Sequence, residues 1–302
     1  MKQTVLILGS SGRFGRTAAT CFETAGWDVR RFDRAKDDLL QCATGVDVIV
    51  AAWNPPYPEW NKSVQILHDQ IIEVAGRTGA TVIVPGNVYV FGADTPAPWG
   101  TDAPHNATNT LGQIRIEMEA AYRRSGVRTI LLRAGDFIDT QASGNWIDMV
   151  MTKSLSKGVF TYPGQINIVH AWAYLPDLCR AAVALAEKRD RLPAFTDIAF
   201  PGYSLTGQDM AAVIERVVSR PVRIKQMSWL LLSLAQPVWP MARYLLEMRY
   251  LWNTPHWLDG SDFDQLLPDF NATSIETALA QAIRSTSVSN QINPNKAVAA
   301  SA

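Results

Sequence analysis

The 302-residue sequence is short of cysteine and has no excess of charge. Its three cysteines lie far apart, and none belongs to a Cys-x-x-Cys pair. We therefore expect neither a disulfide framework nor a cysteine zinc site, and a reducing cytoplasm suits this composition. Lysine and arginine number 28, as do aspartate and glutamate, so the formal net charge is zero. A neutral chain has no global field that would attract nucleic acid or an anionic membrane.

Long hydrophobic runs and histidine clusters are also missing. Residues 226–242 carry no charge, but two glutamines and the prolines Pro237 and Pro240 interrupt the run. A spanning helix needs about 20 mainly apolar residues, so we expect a broken lid or interface segment here and no membrane insertion. The four histidines are too scattered to indicate a metal site. Residues 1–3 lead directly into an apolar segment, so we expect no signal peptide.

What the sequence does have is a glycine-rich turn at its start. Residues 4–8 predict a short buried strand, and Gly9, Gly12 and Gly15 follow it before a helical stretch. In dinucleotide-binding proteins the first glycine permits a tight turn, the second lets the phosphates approach, and the third lets helix and strand pack. The helix N-terminus offers free N–H groups to the anion. An ordinary strand-to-helix turn is the alternative explanation.

Two opposing signals bear on the choice of cofactor. Asp33 ends the second predicted strand, residues 28–32, within the ~20-residue spacing of a ribose-binding acid, which favours NAD. Arg34 and Arg13 could instead hold the 2′-phosphate of NADP, unless they are solvated surface charges. Both NAD and NADP stay open as cofactors.

The first half of the chain alternates strand and helix patterns. This alternation is typical of a parallel sheet with helices on both faces. Strands are predicted at 4–8, 28–32, 47–52, 81–84 and 127–132, and helices at 17–25, 59–77 and 112–124.

Beyond residue 140 the alternation lapses. We predict a helix from Asp177 with Pro176 in its first turn, and a second helix capped by Thr206. The predicted fold class is α/β, a Rossmann-type doubly wound parallel sheet with a smaller C-terminal substrate lobe. Its predicted parts are a cofactor-binding domain at 1–140, to which residues 165–200 could add strands, a lobe at 141–284 and a disordered tail at 285–302.

Several of these segments together resemble the short-chain dehydrogenase/reductase superfamily, in its extended and atypical branch of NAD-dependent epimerase/dehydratase-like proteins. The resemblance rests on the glycine spacing, the strand at 47–52, the segment 85–92 and the turn at 133–137, and it covers about residues 3–280. It implies that NAD(P) is bound by Gly9, Ser11, Gly12, Arg13, Phe14, Gly15, Asp33, Arg34, Ala52, Trp53, Asn87 and Arg115.

The sequence departs from this family at the proton-transfer residues. Family members carry a serine and a later Tyr-x-x-x-Lys, in which the tyrosine is the acid/base and the lysine lowers its pKa. Matching the segments puts Asn87 at the serine, Leu111 at the tyrosine and Arg115 at the lysine. Leucine cannot exchange a proton, whereas Arg115 can still donate to ribose hydroxyls. We therefore expect the cofactor half of the site to be retained and the proton-transfer half to be lost or relocated.

Other groups are candidates to replace the missing tyrosine. Tyr89 lies two residues after Asn87, so both would face one side of an extended segment. Asp136 sits at the carboxyl end of a strand, and His170 is a further pocket candidate. Each also has a structural explanation: an aromatic packed under the loop, a turn or helix cap, and a satisfied core histidine. The predicted catalytic set is Asn87, Tyr89 and Asp136.

The sequence thus predicts an NAD(P)-dependent oxidoreductase or epimerase/dehydratase-like enzyme for a small polar or sugar-like substrate, as a monomer or homodimer. The alternative is an NAD(P)-binding sensor or scaffold with little or no catalysis, which the leucine at position 111 favours. No motif in the C-terminal half identifies the substrate.

Overall fold

Eleven strands form three sheets in the computed structural model, which describes residues 2–292. The strands are β1 (Thr4–Leu8), β2 (Asp28–Phe32), β3 (Val48–Ala51), β4 (Thr81–Gly86), β5 (Thr129–Arg133), β6 (Asp136–Ile138), β7 (Val159–Tyr162), β8 (His170–Tyr174), β9 (Phe195–Ala199), β10 (Tyr203–Leu205) and β11 (Arg223–Gln226). The main sheet has the order β2-β1-β3-β4-β5-β9, and all its neighbouring strands are parallel. The predicted doubly wound α/β fold is confirmed.

The two smaller sheets come from the second half of the chain. One has the order β10-β8-β6, and the other pairs β11 with β7. The predicted turn at 133–137 is shorter than expected, because β6 begins at Asp136 and pairs with β8. Gly135 makes this possible: a Cβ there would overlap the carbonyl of Ala171 in β8. The main sheet also draws β9 from within residues 165–200.

Ten α-helices cover the sheets within residues 2–292. They are α1 (Arg13–Thr24), α2 (Leu39–Ala43), α3 (Trp60–Thr78), α4 (Thr110–Ser125), α5 (Leu175–Glu187), α6 (Gly207–Val218), α7 (Leu230–Ala235), α8 (Pro240–Glu247), α9 (Ser261–Leu266) and α10 (Ile275–Ile292). Helix α1 begins four residues before the predicted start, because Gly12 is itself its N-cap. Pro176 lies in the first turn of α5, and Thr206 caps α6 through a reciprocal pair of bonds with Asp209, both as predicted.

The inner strands β1, β3, β4 and β5 are buried almost throughout, which explains why they are mainly apolar, whereas the edge strand β2 is charged and partly exposed. In β1, Leu6 and Leu8 join one core cluster under α3 and α4, while Val5 and Ile7 join a second cluster under α1 and α5. A third cluster is built from residue 138 onward. The boundary between two domains near residue 140 stays a prediction.

The C-terminal helix is longer than the sequence indicates. Ala278 and Leu279 pack into the third core cluster, and α10 continues to Ile292. Residues 285–292, predicted as the start of a disordered tail, are therefore helical, because packing upstream has already nucleated the helix that they extend. Residues 293–302 of that predicted tail lie outside the described residues. Within residues 2–292, none of the helices combines the length and hydrophobicity that crossing a bilayer requires.

Candidate functional site

The candidate site lies along the carboxyl edge of the main sheet. The strand order reverses at β1, so the loops after β1 and β3 run in opposite directions and leave a crevice between them. Ligands of doubly wound sheets bind in this crevice. The loops that border it begin at Gly9, Ala52, Asn87 and Ala134.

The three glycines of the first loop have different surroundings. Gly9 has a φ of +78°, and a Cβ there would lie 2.7 Å from the carbonyl oxygen of Ala52. A Cβ on Gly15 would overlap the carbonyl of Gly9. Gly12 is exposed, its nearest neighbour would be 3.3 Å from an added Cβ, and as N-cap it offers no side-chain bond to α1. The first and third glycines are thus required by packing, while the second leaves room for an anion at the helix N-terminus.

The other residues of the glycine turn divide between the surface and the core. Ser11 is exposed, whereas Phe14 is buried among the residues beneath α1. The guanidinium of Arg13 leaves the turn and donates to the carbonyls of Ser143 (2.9 Å) and Gly144 (2.7 Å). A cofactor phosphate would have to compete with these two carbonyls for Arg13.

The end of β2 carries the predicted ribose-binding acid. One oxygen of Asp33 forms an ion pair with Lys36 at 2.9 Å, and the other accepts the backbone N–H of Ala35. The bond from Lys36, followed by that from Ala35, lowers the pKa of Asp33, so its carboxylate is ionised. Arg34 is exposed, and the ring of Trp53 lies 5.5 Å from that of Phe32.

The segment after β4 is not extended. The backbone N–H of Tyr89 donates to Oδ1 of Asn87 at 3.0 Å, and a single 3-10 turn follows at Tyr89–Phe91. The expectation that Asn87 and Tyr89 face one side of an extended segment is therefore wrong, because the asparagine side chain folds the chain into a turn. The carbonyl of Asn87 accepts a bond from Arg133 at 2.7 Å.

Arg133 is a buried cation that holds the ends of three elements together. It pairs with Glu119 on α4 (2.9 Å) and with Asp197 on β9 (2.7 Å). Burial opposes its charge, but the two carboxylates outweigh this effect and raise the pKa of Arg133. His105 lies close enough to both carboxylates to suggest a metal site geometrically. Since the guanidinium already forms ion pairs with both acids, we interpret the cluster as an ion-pair network.

Tyr89 meets a partner that the sequence analysis missed. Its hydroxyl lies 2.6 Å from the hydroxyl of Tyr57, which comes from the loop after β3. Both residues are half-buried. The rings of Trp60 (5.1 Å) and Tyr244 (6.4 Å) pack around Tyr57. No local pattern identifies Tyr57, because its role depends on a contact with a residue 32 positions later.

Both hydroxyls have a raised pKa. Burial raises the pKa of Tyr57, and the hydrogen bond with Tyr89 opposes that rise. Burial and the neighbouring Tyr57 raise the pKa of Tyr89 well above its ordinary value. The guanidinium of Arg115 opposes the rise in both. Burial is the main cause of the raised pKa in both tyrosines, and either hydroxyl can donate the hydrogen bond between them.

The helix that would carry Tyr-x-x-x-Lys packs directly beside this pair. The side chain of Leu111 is wholly buried, and a Cβ on Gly112 would lie 2.7 Å from the carbonyl oxygen of Tyr89. Arg115 is buried with its guanidinium carbon 5.0 Å from the centre of the Trp60 ring. Its Nε has no partner, and burial lowers its pKa.

The start of this helix is held from a distance. Asn109, the N-cap of α4, makes no capping bond of its own. Instead, Oε1 of Glu247, at the end of α8, accepts the N–H of Leu111 (2.8 Å) and a bond from the Asn109 amide (3.1 Å). The carboxylate of α8 thus satisfies a free N–H group at the helix end.

Asp136 and His170 form a second titratable pair. Nε2 of His170 lies 2.8 Å from Oδ2 of Asp136, and the imidazole stacks on Trp252 at 4.4 Å. The Nδ1 atom of His170 is buried without a partner. Beside it, burial and the neighbouring His170 lower the pKa of His256 to about 3, so His256 is neutral. The sequence analysis singled out Asp136 and His170 separately, and the structure brings them together.

Several solved structures, among them nucleotide-sugar epimerases, share this fold over nearly the whole chain. MoeE5, solved with UDP-glucose and NAD, is 14% identical and superposes with a TM-score of 0.71 over 95% of this chain and 99% of its own. UDP-glucuronic acid 4-epimerase from Bacillus cereus, solved with UDP-glucuronic acid and NAD, gives the same four values. A nucleoside-diphosphate-sugar epimerase from Pseudomonas aeruginosa is 12% identical, with a TM-score of 0.70 over 96% and 99% of the two chains.

Sequence comparison adds nothing to this result, since no family model and no curated protein sequence matches the chain. At 12–14% identity, the structural likeness establishes the fold. The fold expected from the resemblance to epimerase/dehydratase-like proteins is confirmed.

Proposed function

We propose that this protein is an NAD(P)-dependent oxidoreductase or epimerase acting on a sugar-like substrate, with Tyr57 and Tyr89 replacing the missing acid/base tyrosine. One observation carries the proposal: the two hydroxyls lie 2.6 Å apart at the crevice. They stand beside the helix turn at Leu111, where the resembled family has its tyrosine.

The residues at the crevice fit the cofactor. Gly12 leaves space at an uncapped helix N-terminus, which suits a pyrophosphate. Asp33 can accept from ribose hydroxyls, and the unpartnered Nε of Arg115 is a donor for the second ribose. Two of the neighbouring structures were solved with NAD, which supports the same cofactor here. When bound, the nicotinamide supplies the hydride chemistry, and the protein supplies orientation and proton transfer.

Proton transfer falls to Tyr57. Its neutral hydroxyl can donate a proton to a carbonyl oxygen, and its ionised form can accept one from a substrate hydroxyl. Tyr89 stabilises the ionised form by donating to it, and the positive charge of Arg115 does the same at longer range. Asp136, held by His170, is the second candidate for this role.

The experiment begins with calorimetric titration of NAD and NADP, followed by assays with UDP-glucose and UDP-glucuronic acid, the ligands of the neighbours. Hydride transfer is followed at 340 nm and epimerisation by chromatography. We expect submillimolar cofactor binding, and turnover that Tyr57→Phe lowers by about 10²–10⁴-fold. Absence of cofactor binding, or turnover insensitive to both tyrosines, would overturn the proposal.

A binding protein without catalysis is the second candidate. It is favoured by the complete burial of Leu111, which removes the family's proton-transfer group from the crevice. Cofactor binding without turnover on a panel of sugar nucleotides, alcohols and ketones would decide for this function.

A further inference from the structure

Helices α7 and α8 and the turn between them expose an apolar surface. We define the 230–239 surface by its five exposed side chains: Leu230 (65% exposed), Leu231 (70%), Leu234 (69%), Val238 (86%) and Trp239 (45%). The other large hydrophobic side chains exposed in the described part of the chain are Ile66, Met149, Ile166 and Trp257, which are scattered along the sequence. Concentrated exposure of this kind marks a contact surface.

The 230–239 surface belongs to a segment that is fixed to the protein from behind. Trp229 is buried, and its indole N–H donates to the carbonyl of Pro163 at 2.7 Å. Leu232 and Leu246 pack against the third core cluster. The exposed leucines are therefore the outer side of an anchored helix, so ordinary core packing does not explain them.

The sequence on either side of the 230–239 surface is rich in basic residues, although the whole chain is neutral. Residues 216–249 contain six basic residues and one acidic residue. All six are exposed: Arg216, which pairs with Glu276, and Arg220, Arg223, Lys225, Arg243 and Arg249. Glu247, the one acid, is engaged by the N-terminus of α4. The local charge balance therefore favours an anionic partner.

We propose that the 230–239 surface docks the protein onto an anionic phospholipid bilayer, lying in the interface without crossing it. Exposed leucines and a tryptophan with a basic rim are the composition of interfacial membrane elements. The expectation from zero net charge concerns the global field, whereas this attraction is local and acts within about a Debye length. Docking would also place the crevice near the bilayer, because Tyr244 of α8 packs against Tyr57.

The test is flotation of the full chain with vesicles of phosphatidylcholine alone or with about 30% phosphatidylglycerol. We expect binding to the anionic vesicles and at least tenfold weaker binding to the neutral ones, since each basic residue near such a surface is worth about fivefold. The double variant L231E/L234E should lose binding to both. The matched control is Ile66→Glu, which puts the same charge on an exposed apolar site of α3 and should bind like the wild type.

Two further measurements keep the result decisive. Circular dichroism establishes that the variants fold, and Val238→Asp provides a change at a side chain that is 86% exposed. Tryptophan fluorescence should shift to the blue on vesicle addition, and Trp239→Phe should reduce this shift. The proposal is wrong if anionic vesicles leave the wild type unbound. It is also wrong if sedimentation shows a dimer that L231E/L234E dissociates, since a second copy would then cover the surface.

Discussion

The glycine turn and the expected proton-transfer residues lie at the same edge of the main sheet, but only the glycine turn keeps the residues of the resembled family. In the glycine turn, Gly9, Gly12 and Gly15 occupy the positions that the resembled family needs, and each has the surroundings that its role requires. In the proton-transfer half, the expected tyrosine is the buried Leu111, and hydroxyls from two other loops meet beside it.

The difference reflects what each half demands of the chain. Binding a pyrophosphate needs backbone geometry, which only glycine supplies at a tight turn and a close approach. Proton transfer needs a titratable oxygen at a given place, and any loop that reaches the place can supply it. Pyrophosphate binding therefore restricts which residues can occupy particular positions of one loop. Proton transfer restricts only where a titratable oxygen lies in the folded site, whichever loop supplies it.

The largest expected effect is the loss of cofactor binding at the glycine turn. Gly12→Val would fill the space that a pyrophosphate needs, so calorimetry should detect no binding of NAD or NADP. The control is Gly76→Val on α3, where an added Cβ meets only Val127 at 3.8 Å. Undiminished affinity in folded Gly12→Val would show that the cofactor lies elsewhere.

The second-largest expected effect is on kcat and tests the proposed proton transfer by Tyr57 and Tyr89. Tyr57→Phe should lower kcat by about 10²–10⁴-fold, the usual contribution of general acid/base catalysis, and Tyr89→Phe should lower it less. The raised pKa of Tyr57 leaves it neutral near pH 7. Wild-type oxidation of a hydroxyl substrate should therefore accelerate as pH rises from 7 to 9, and Tyr57→Phe should flatten this profile. If Asp136→Asn flattens the pH profile of the rate and Tyr57→Phe does not, the Asp136–His170 pair performs the proton transfer instead.

A smaller effect on cofactor affinity is expected at Arg115. Arg115→Ala removes the donor assigned to the nicotinamide ribose, and a charge-assisted bond is worth about 1.5–3 kcal/mol. Calorimetry should show about ten- to a hundredfold weaker cofactor binding. Arg123→Ala, which removes an arginine of the same helix that lies over Phe195, is the control. Equal affinities in the two variants would remove Arg115 from the cofactor site.

The smallest effect sharpens the account of the missing tyrosine. The side chain at 111 is fully buried, so Leu111→Tyr would crowd the core and leave its hydroxyl outside the crevice. We expect a destabilisation of about 1–3 kcal/mol, measured by urea unfolding, and no gain in carbonyl reduction. Increased reductase activity would mean that the motif position still faces the substrate.

The elements of the main sheet were predictable because their signals are local. The strand at 28–32 and the glycine turn depend on runs of neighbouring residues, and both were found at the predicted positions. Tyr57 was missed because its proline-rich loop gives no sign of reaching Tyr89. The turn at Asn87 was missed because one side-chain bond replaced the extended conformation that its apolar neighbours indicate.

The remaining site contacts depend on tertiary structure. His170 meets Asp136 only because β8 pairs with β6, a strand that the sequence analysis read as a turn. Arg13 fits a phosphate ligand by its position, yet its donors reach carbonyls 130 residues away. Residue type and spacing could identify these side chains as candidates. They could not predict which residues the side chains contact.

The carboxylate of Glu247 gives the molecule a thermodynamic property. Since it bonds to the first turn of α4, order in α8 and order at the start of α4 favour each other. Such linkage is reciprocal. If a ligand in the crevice stabilises α8, then an external contact that stabilises α8 must tighten binding of that ligand by the same free energy. Slower amide hydrogen exchange at residues 240–247 on cofactor addition would report it. Loss of that slowing in Glu247→Ala, which removes the accepting oxygen, would show that this one side chain carries the connection.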